Sequence, residues 1–159
     1  MKIVNLSDIA SESSESPQGN FSASFQGLSL ALGRQPDSTD LNERHPFDVE
    51  ITKIPAGKKL CPFHSHSAQW EFYHVTGGRG FVRHENGESP ITAGDTFLFK
   101  PGEAHQLRAA DDEPLNFLIV ADNPIGESCH YPDSDKWLVR SPERRLIRSD
   151  SLNYFDGEE

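Results

Sequence analysis

Seven histidines occur in this chain of 159 residues, and two of them stand one residue apart, in His64-Ser65-His66. Side chains alternate between faces along an extended strand, so residues i and i+2 point the same way. His64 and His66 therefore aim two imidazoles at one point. Glu71 opens the next apolar run, and a tight connection would bring its carboxylate to the same place. His105 would have to join from a separate strand pair. Three neutral imidazoles and a carboxylate suit a borderline divalent cation, with coordination positions left for water or substrate. Spacing alone leaves a second reading open, two surface histidines on a polar strand.

Other residues bear on the same interior. Tyr73 shares the parity of Glu71, and a phenol beside a metal can orient a substrate or transfer a proton; a barrel aromatic with a satisfied hydroxyl has the same pattern. Leu107 shares the parity of His105 and should add apolar wall. His74 should face away, and His45, His84 and His130 have no partners in the pattern. Cys61 precedes His64 by three residues and should lie on the opposite face. Arg79 and Arg83 could meet an anionic substrate, although surface exposure is the plainer expectation, and no clear cationic site for a phosphate is visible. No Gly-x-Ser-x-Gly elbow and no Gly-rich phosphate loop occur.

The elements that must position these groups read as short strands. Phe47-Asp48-Val49-Glu50-Ile51-Thr52 alternates and ends at Pro55-Ala56-Gly57. Trp70 to Thr76 is aromatic and β-branched and stops at Gly77-Gly78. Gly80 to His84 ends at Asn86-Gly87, a hairpin signal. Thr96-Phe97-Leu98-Phe99, His105 to Ala109 and Leu115 to Val120 follow, each bounded by turn residues. About seven short strands at this spacing suit a sandwich or barrel. Residues 7–20 read as flexible, residues 21–32 as an extra edge strand, and residues 34–45 as a polar connector. The expected division is an N-terminal arm over 1–45, a barrel over 46–124 and a C-terminal extension over 125–159 that packs on the barrel or on a partner subunit.

Composition narrows the function classes. Lys and Arg total 15 against 25 Asp and Glu, a net charge of −10, which disfavours a nucleic-acid partner. The Arg144-Arg145 pair is too short a basic run to change that. No stretch approaches the roughly 20 apolar residues of a membrane span. Two cysteines, Cys61 and Cys129, are too few for a disulfide framework and read as reduced thiols in a cytoplasmic protein.

Two stretches carry a family pattern. The first is Gly57, six residues, His64-Ser65-His66, four residues, Glu71, six residues, Gly78. The second is Gly94-Asp95, Thr96-Phe97-Leu98-Phe99, then Lys100-Pro101-Gly102-Glu103-Ala104-His105. Together they closely resemble the two motifs of the cupin superfamily. Lys100 stands where the second motif often has its first Pro, and Ala109 where an Asn often follows the last His. The resemblance implies an all-β fold, a double-stranded β-helix of the jelly-roll type, holding one divalent metal ion (iron, manganese, zinc, nickel or copper) through His64, His66, Glu71 and His105. It further implies a metal-dependent enzyme on a small polar metabolite, with isomerase- or dioxygenase-type chemistry; Tyr73, placed inside by its parity, is the candidate acid/base. A non-catalytic module that binds a metal or small ligand is the alternative. Small bacterial cupins of this kind are loosely termed sugar-phosphate isomerase-like, and pairing to a homodimer is expected.

Overall fold

A computed structural model describes residues 1–36, 38–140, 143–148, 150 and 152–158. Alternation of apolar and polar residues builds the central strands. β3 (Phe47–Ile54) and β9 (Leu115–Asp122) pair antiparallel along their whole lengths. On β9, Leu115, Phe117 and Ala121 are buried at every second position or its multiple. β5 (Glu71–His84) lies on the other side of β9 and also pairs with β6 (Gly87–Thr92), β7 (Thr96–Phe99) and β8 (His105–Ala109). On the far side of β3 sits a hairpin of β1 (Glu12–Glu15) and β2 (Ser22–Gly27). A second, four-stranded sheet runs in the order β12-β11-β10-β4, from β4 (Ser65–His66), β10 (Ser128–Tyr131), β11 (Lys136–Val139) and β12 (Arg145–Arg148). The fold is the double-stranded β-helix. Its core is formed by Ile54, Tyr73, Val75, Val82, Leu107, Leu115 and Phe117, each side chain worth roughly 1.5–3 kcal/mol of burial.

One strand departs from its sequence reading. The Gly77-Gly78 pair does not end a strand; β5 runs through it. A register shift between Val75 and Gly77 marks a bulge, and the extra residue reverses the inward parity. Glu71, Tyr73 and Val75 are buried before it, Gly80 and Val82 after it. Gly78 is at φ +74°, and a Cβ there would lie 1.7 Å from the Pro114 carbonyl oxygen, so no other residue fits. The next hairpin turns through Glu85-Asn86, with His84 opposite Gly87, one residue earlier than Asn86-Gly87 suggests. Pro90 sits within β6, where an edge strand tolerates a missing donor.

The N-terminal region is more ordered than its composition indicates. Glu12–Glu15, within the stretch read as flexible, pairs with β2 although all four residues are exposed. Residues 21–32 divide into β2 and one helical turn, α1 (Leu28–Ala31), and the connector contains α2 (Leu41–Arg44). The hydroxyl of Ser29 accepts from the Val49 amide at 2.7 Å, fixing α1 to β3. The buried Arg44 donates to the carbonyls of Ser38, Asn123 and Pro124, tying the connector to the loop after β9.

Candidate metal centre

Each of the four expected ligands is placed by backbone pairing. His64 and His105 face one another across reciprocal backbone hydrogen bonds of 3.1 and 2.8 Å. His66 follows on β4, whose partner is β10, with His66 opposite Cys129. The amide of Gly102, in the loop between β7 and β8, donates to the His66 carbonyl at 2.8 Å, joining the two motif stretches. Glu71 begins β5, between Phe99 of β7 and Ala121 of β9.

The donor atoms converge within 4.8 Å of one another. His64 Nε2 is 3.1 Å from His66 Nε2, His66 Nε2 is 3.3 Å from Glu71 Oε1, and His105 Nε2 is 2.8 Å from Glu71 Oε2. Ligands about 2.1 Å from a common cation at ordinary coordination angles stand about 3 Å apart, so the spacing fits one ion.

The opposite ring nitrogens decide the protonation. Nδ1 of His64 faces the Pro62 carbonyl at 3.0 Å, and Nδ1 of His105 faces the Glu103 carbonyl at 3.1 Å. Nδ1 of His66 faces the Glu127 carboxylate at 3.2 Å. These oxygens only accept, so in each neutral ring Nδ1 carries the proton and Nε2 keeps its lone pair. His105 Nε2 is buried and has no hydrogen-bond partner, although it stands 2.8 Å from Glu71 Oε2. Lone pair thus meets carboxylate at 1% and 7% exposure. That contact is repulsive unless a positive charge lies within the cluster.

Two buried carboxylates, Glu71 and Glu127, flank His66, and a divalent ion would neutralise both. Without one, protons compensate. Burial works against charge on His66, but hydrogen bonds to Cys129, Glu127 and Glu71 outweigh it and hold the imidazole up to about 11. Burial, then repulsion from His105 and His66, pushes His64 down to about 4. Burial opposes ionisation of Glu71, yet His105 and His66 hold its carboxyl well below the usual range.

Tyr73 lies at the same cluster. Its hydroxyl donates to Glu71 Oε2 at 3.0 Å, and burial, then the Glu71 charge, keeps it protonated far above its ordinary range. Its ring stacks on Phe97, and Phe99 stacks on His105 with centroids 3.9 Å apart, fixing both rings. His74 instead meets Thr96, and His84 meets Ser89, outside the site. Arg79 pairs with Asp112 and Glu113, and Arg83 with Asp133, so neither reaches the site. Cys61 is a correction: it lines the cavity beside His64, with Sγ 3.6 Å from Nδ1, rather than facing away. Burial keeps its thiol protonated, the chief bar to thiolate ligation.

A cavity of about 320 Å³ opens onto this cluster. Several residues in and around it have no sequence signature. Glu127 is 1% exposed and also accepts from the amides of Ser67 and Ala68, at 2.9 and 3.0 Å, so both oxygens are engaged in orienting His66. Tyr131 stacks on His64, with centroids 5.9 Å apart. Arg34, Arg140 and Arg144 also line the space. All but Arg34 come from beyond β9, through the β4–β10 pairing.

A curled antiparallel sheet thus gathers three histidines and a glutamate inside itself, a donor set that could hold one metal ion. Residues 50–121, just under half of the chain, match the Cupin domain family. The oxalate-binding protein of Thermotoga maritima is 36% identical over 69 residues, 43% of this chain and 55% of that protein. The chain spans only 55% of the length of either curated relative it matches. A cupin-superfamily sugar phosphate isomerase from Silicibacter pomeroyi superposes with a TM-score of 0.77 at 25% identity, covering 96% of this chain and 98% of that one. A structure from Acidithiobacillus ferrooxidans gives a TM-score of 0.76 at 23% identity, with 92% of both chains covered, and supports the fold alone. Among the described residues, no helix is long and apolar enough to cross a membrane.

Proposed function

We propose that this cupin is a metal-dependent enzyme acting on a small polar metabolite, with His64, His66, Glu71 and His105 holding one divalent ion. The observation that carries this is the convergence of three Nε2 lone pairs and a carboxylate on one point inside an open cavity. A bound divalent ion supplies Lewis acidity to a substrate oxygen. The chain's own residues do the rest. The Nδ1 hydrogen bonds fix the tautomers of the three imidazoles, and Glu127 orients His66. Tyr73 Oη keeps its proton, so it serves as a donor, orienting Glu71 and acting as an acid toward a ligand oxygen that displaces that contact.

Isomerase-type chemistry is favoured over dioxygenase-type chemistry by the likeness, over nearly the whole of both chains, to a protein described as a sugar phosphate isomerase. A second reading, reversible binding without turnover, is favoured by the relative described as oxalate-binding. Two free thiols, Cys61 and Cys129, suit a reducing, cytoplasmic setting. A homodimer is supported by an apolar row on the outer sheet face, Val49, Val120, Phe72 and Leu98, adjacent across four strands.

The test is elemental analysis of protein purified without added metal, followed by isomerisation and oxygen-uptake screens on small polyhydroxy and carboxylic compounds. Stoichiometric metal with turnover supports the enzyme. Metal with ligand binding and no turnover supports the second reading. Metal-free protein that takes up no divalent ion overturns both.

A further inference from the structure

The nine arginines of the chain divide by what they touch. Arg79, Arg83, Arg108 and Arg145 pair with carboxylates on the surface, and Arg34 pairs with Asp48 at 2.7 Å. Arg44 is spent on backbone carbonyls. Arg140, Arg144 and Arg148 have no ion-pair partner among the described residues, and of these three Arg140 and Arg144 line the cavity beside the histidine cluster. In a chain of net charge −10, two uncompensated guanidiniums on one concave wall are unexpected unless something anionic meets them.

The acidic groups of that cavity do not fill the role. Asp48 is taken by Arg34, and Glu71 faces the histidines. Glu50 accepts from the Thr52 hydroxyl at 2.7 Å, and burial biases its carboxyl toward the neutral form. Arg34 adds a further donor, since its Nε is buried and has no hydrogen-bond partner. Tyr131 connects the two ends: its ring stacks on His64, and it lines the same cavity as Arg140 and Arg144.

We propose that Arg140 and Arg144 form an anion-binding subsite that takes the carboxylate or phosphate of a small metabolite whose other end reaches the histidine cluster. This rests on the reading of that cluster as a metal centre and names the substrate class for it. Guanidinium forks match planar or tetrahedral oxyanions in two-point contacts. The cavity, about 320 Å³, suits a metabolite of a few carbons and not a polymer.

The test titrates metal-loaded protein calorimetrically with inorganic phosphate and, separately, with acetate. Wild type should bind at least one of the two; phosphate alone identifies a phosphoryl ligand, acetate alone a carboxylate. The double variant R140Q/R144Q should bind about tenfold more weakly or worse, with metal content unchanged. R148Q, a control at an exposed arginine outside the cavity, should bind as wild type does. The proposal is overturned if wild type binds neither anion, if the double variant binds as well as wild type, or if R148Q weakens binding equally. Metal content of wild type, measured on the same preparations, fails or stands independently and tests the metal reading alone.

Discussion

The cavity has two walls of different origin. One is built by the barrel: His64, Glu71 and Tyr73, with His105 behind them, sit on or beside paired strands, mostly buried, with their second polar atoms engaged by carbonyls or by one another. The other comes from the segment after β9: Tyr131, Leu138, Arg140 and Arg144, on a small sheet or its connecting loop. On the barrel wall every donor's backbone position is set by strand register. The outer wall carries more exposed groups, Arg144 among them. Chemistry that tolerates little displacement lies on the first, and recognition on the second. His66 belongs to both, since β4 supplies its backbone and Glu127 its orientation.

Substitutions can break this comparison. His66→Ala, at the junction, should strip most bound metal while the barrel still folds, measured by elemental analysis and circular dichroism; full metal occupancy in the variant would remove the assignment.

Proton competition should be the next largest effect. In metal-free protein His66 is held up to about 11 and His64 pushed down to about 4. A raised histidine pKa means the proton is bound below it, so an entering cation displaces one proton from His66 and none from His64. Metal affinity should therefore rise about tenfold per pH unit across neutrality, or about a hundredfold from pH 6 to pH 8. A flat profile in a chelator competition would show His66 already neutral.

Glu127→Gln tests whether the outer segment orients a barrel ligand. It should weaken metal binding about 10- to 100-fold and flatten the pH profile, because the carboxylate that favours the imidazolium is gone. An unchanged chelator titration would separate the two walls entirely. Tyr73→Phe should have the smallest effect on metal content, leaving occupancy near wild type and costing about 1–3 kcal/mol of stability. If Tyr73 also acts as an acid, turnover falls about a hundredfold, whereas equal turnover limits it to orienting Glu71.

The same division governs what the sequence makes legible. His64, His66, Glu71 and His105 stand in fixed spacings, and strand parity alone puts the first two on one face. Leu107 and Tyr73 follow the same parity into the interior. Parity fails at Gly77-Gly78, because a bulge inserts a residue without a local signal beyond glycine itself. Glu127, Tyr131, Arg140 and Arg144 were not legible, because they arrive through a two-residue strand pairing across more than 60 positions of sequence. Nothing in Ser65-His66 or Cys129-His130 announces that pairing. β1 escaped for another reason: Glu-Ser-Ser-Glu buries nothing and is held by backbone hydrogen bonds alone.

The tether between β4 and β10 makes the far segment a lever on the ligand sphere. Its strand begins one residue after Glu127, and its partner is the backbone of His66 itself. Anything that pulls this segment from its seat withdraws both the carboxylate behind the imidazole and the strand beneath it. The geometry offered to a cation and the docking of the chain's last fifth are thus one equilibrium read at two places.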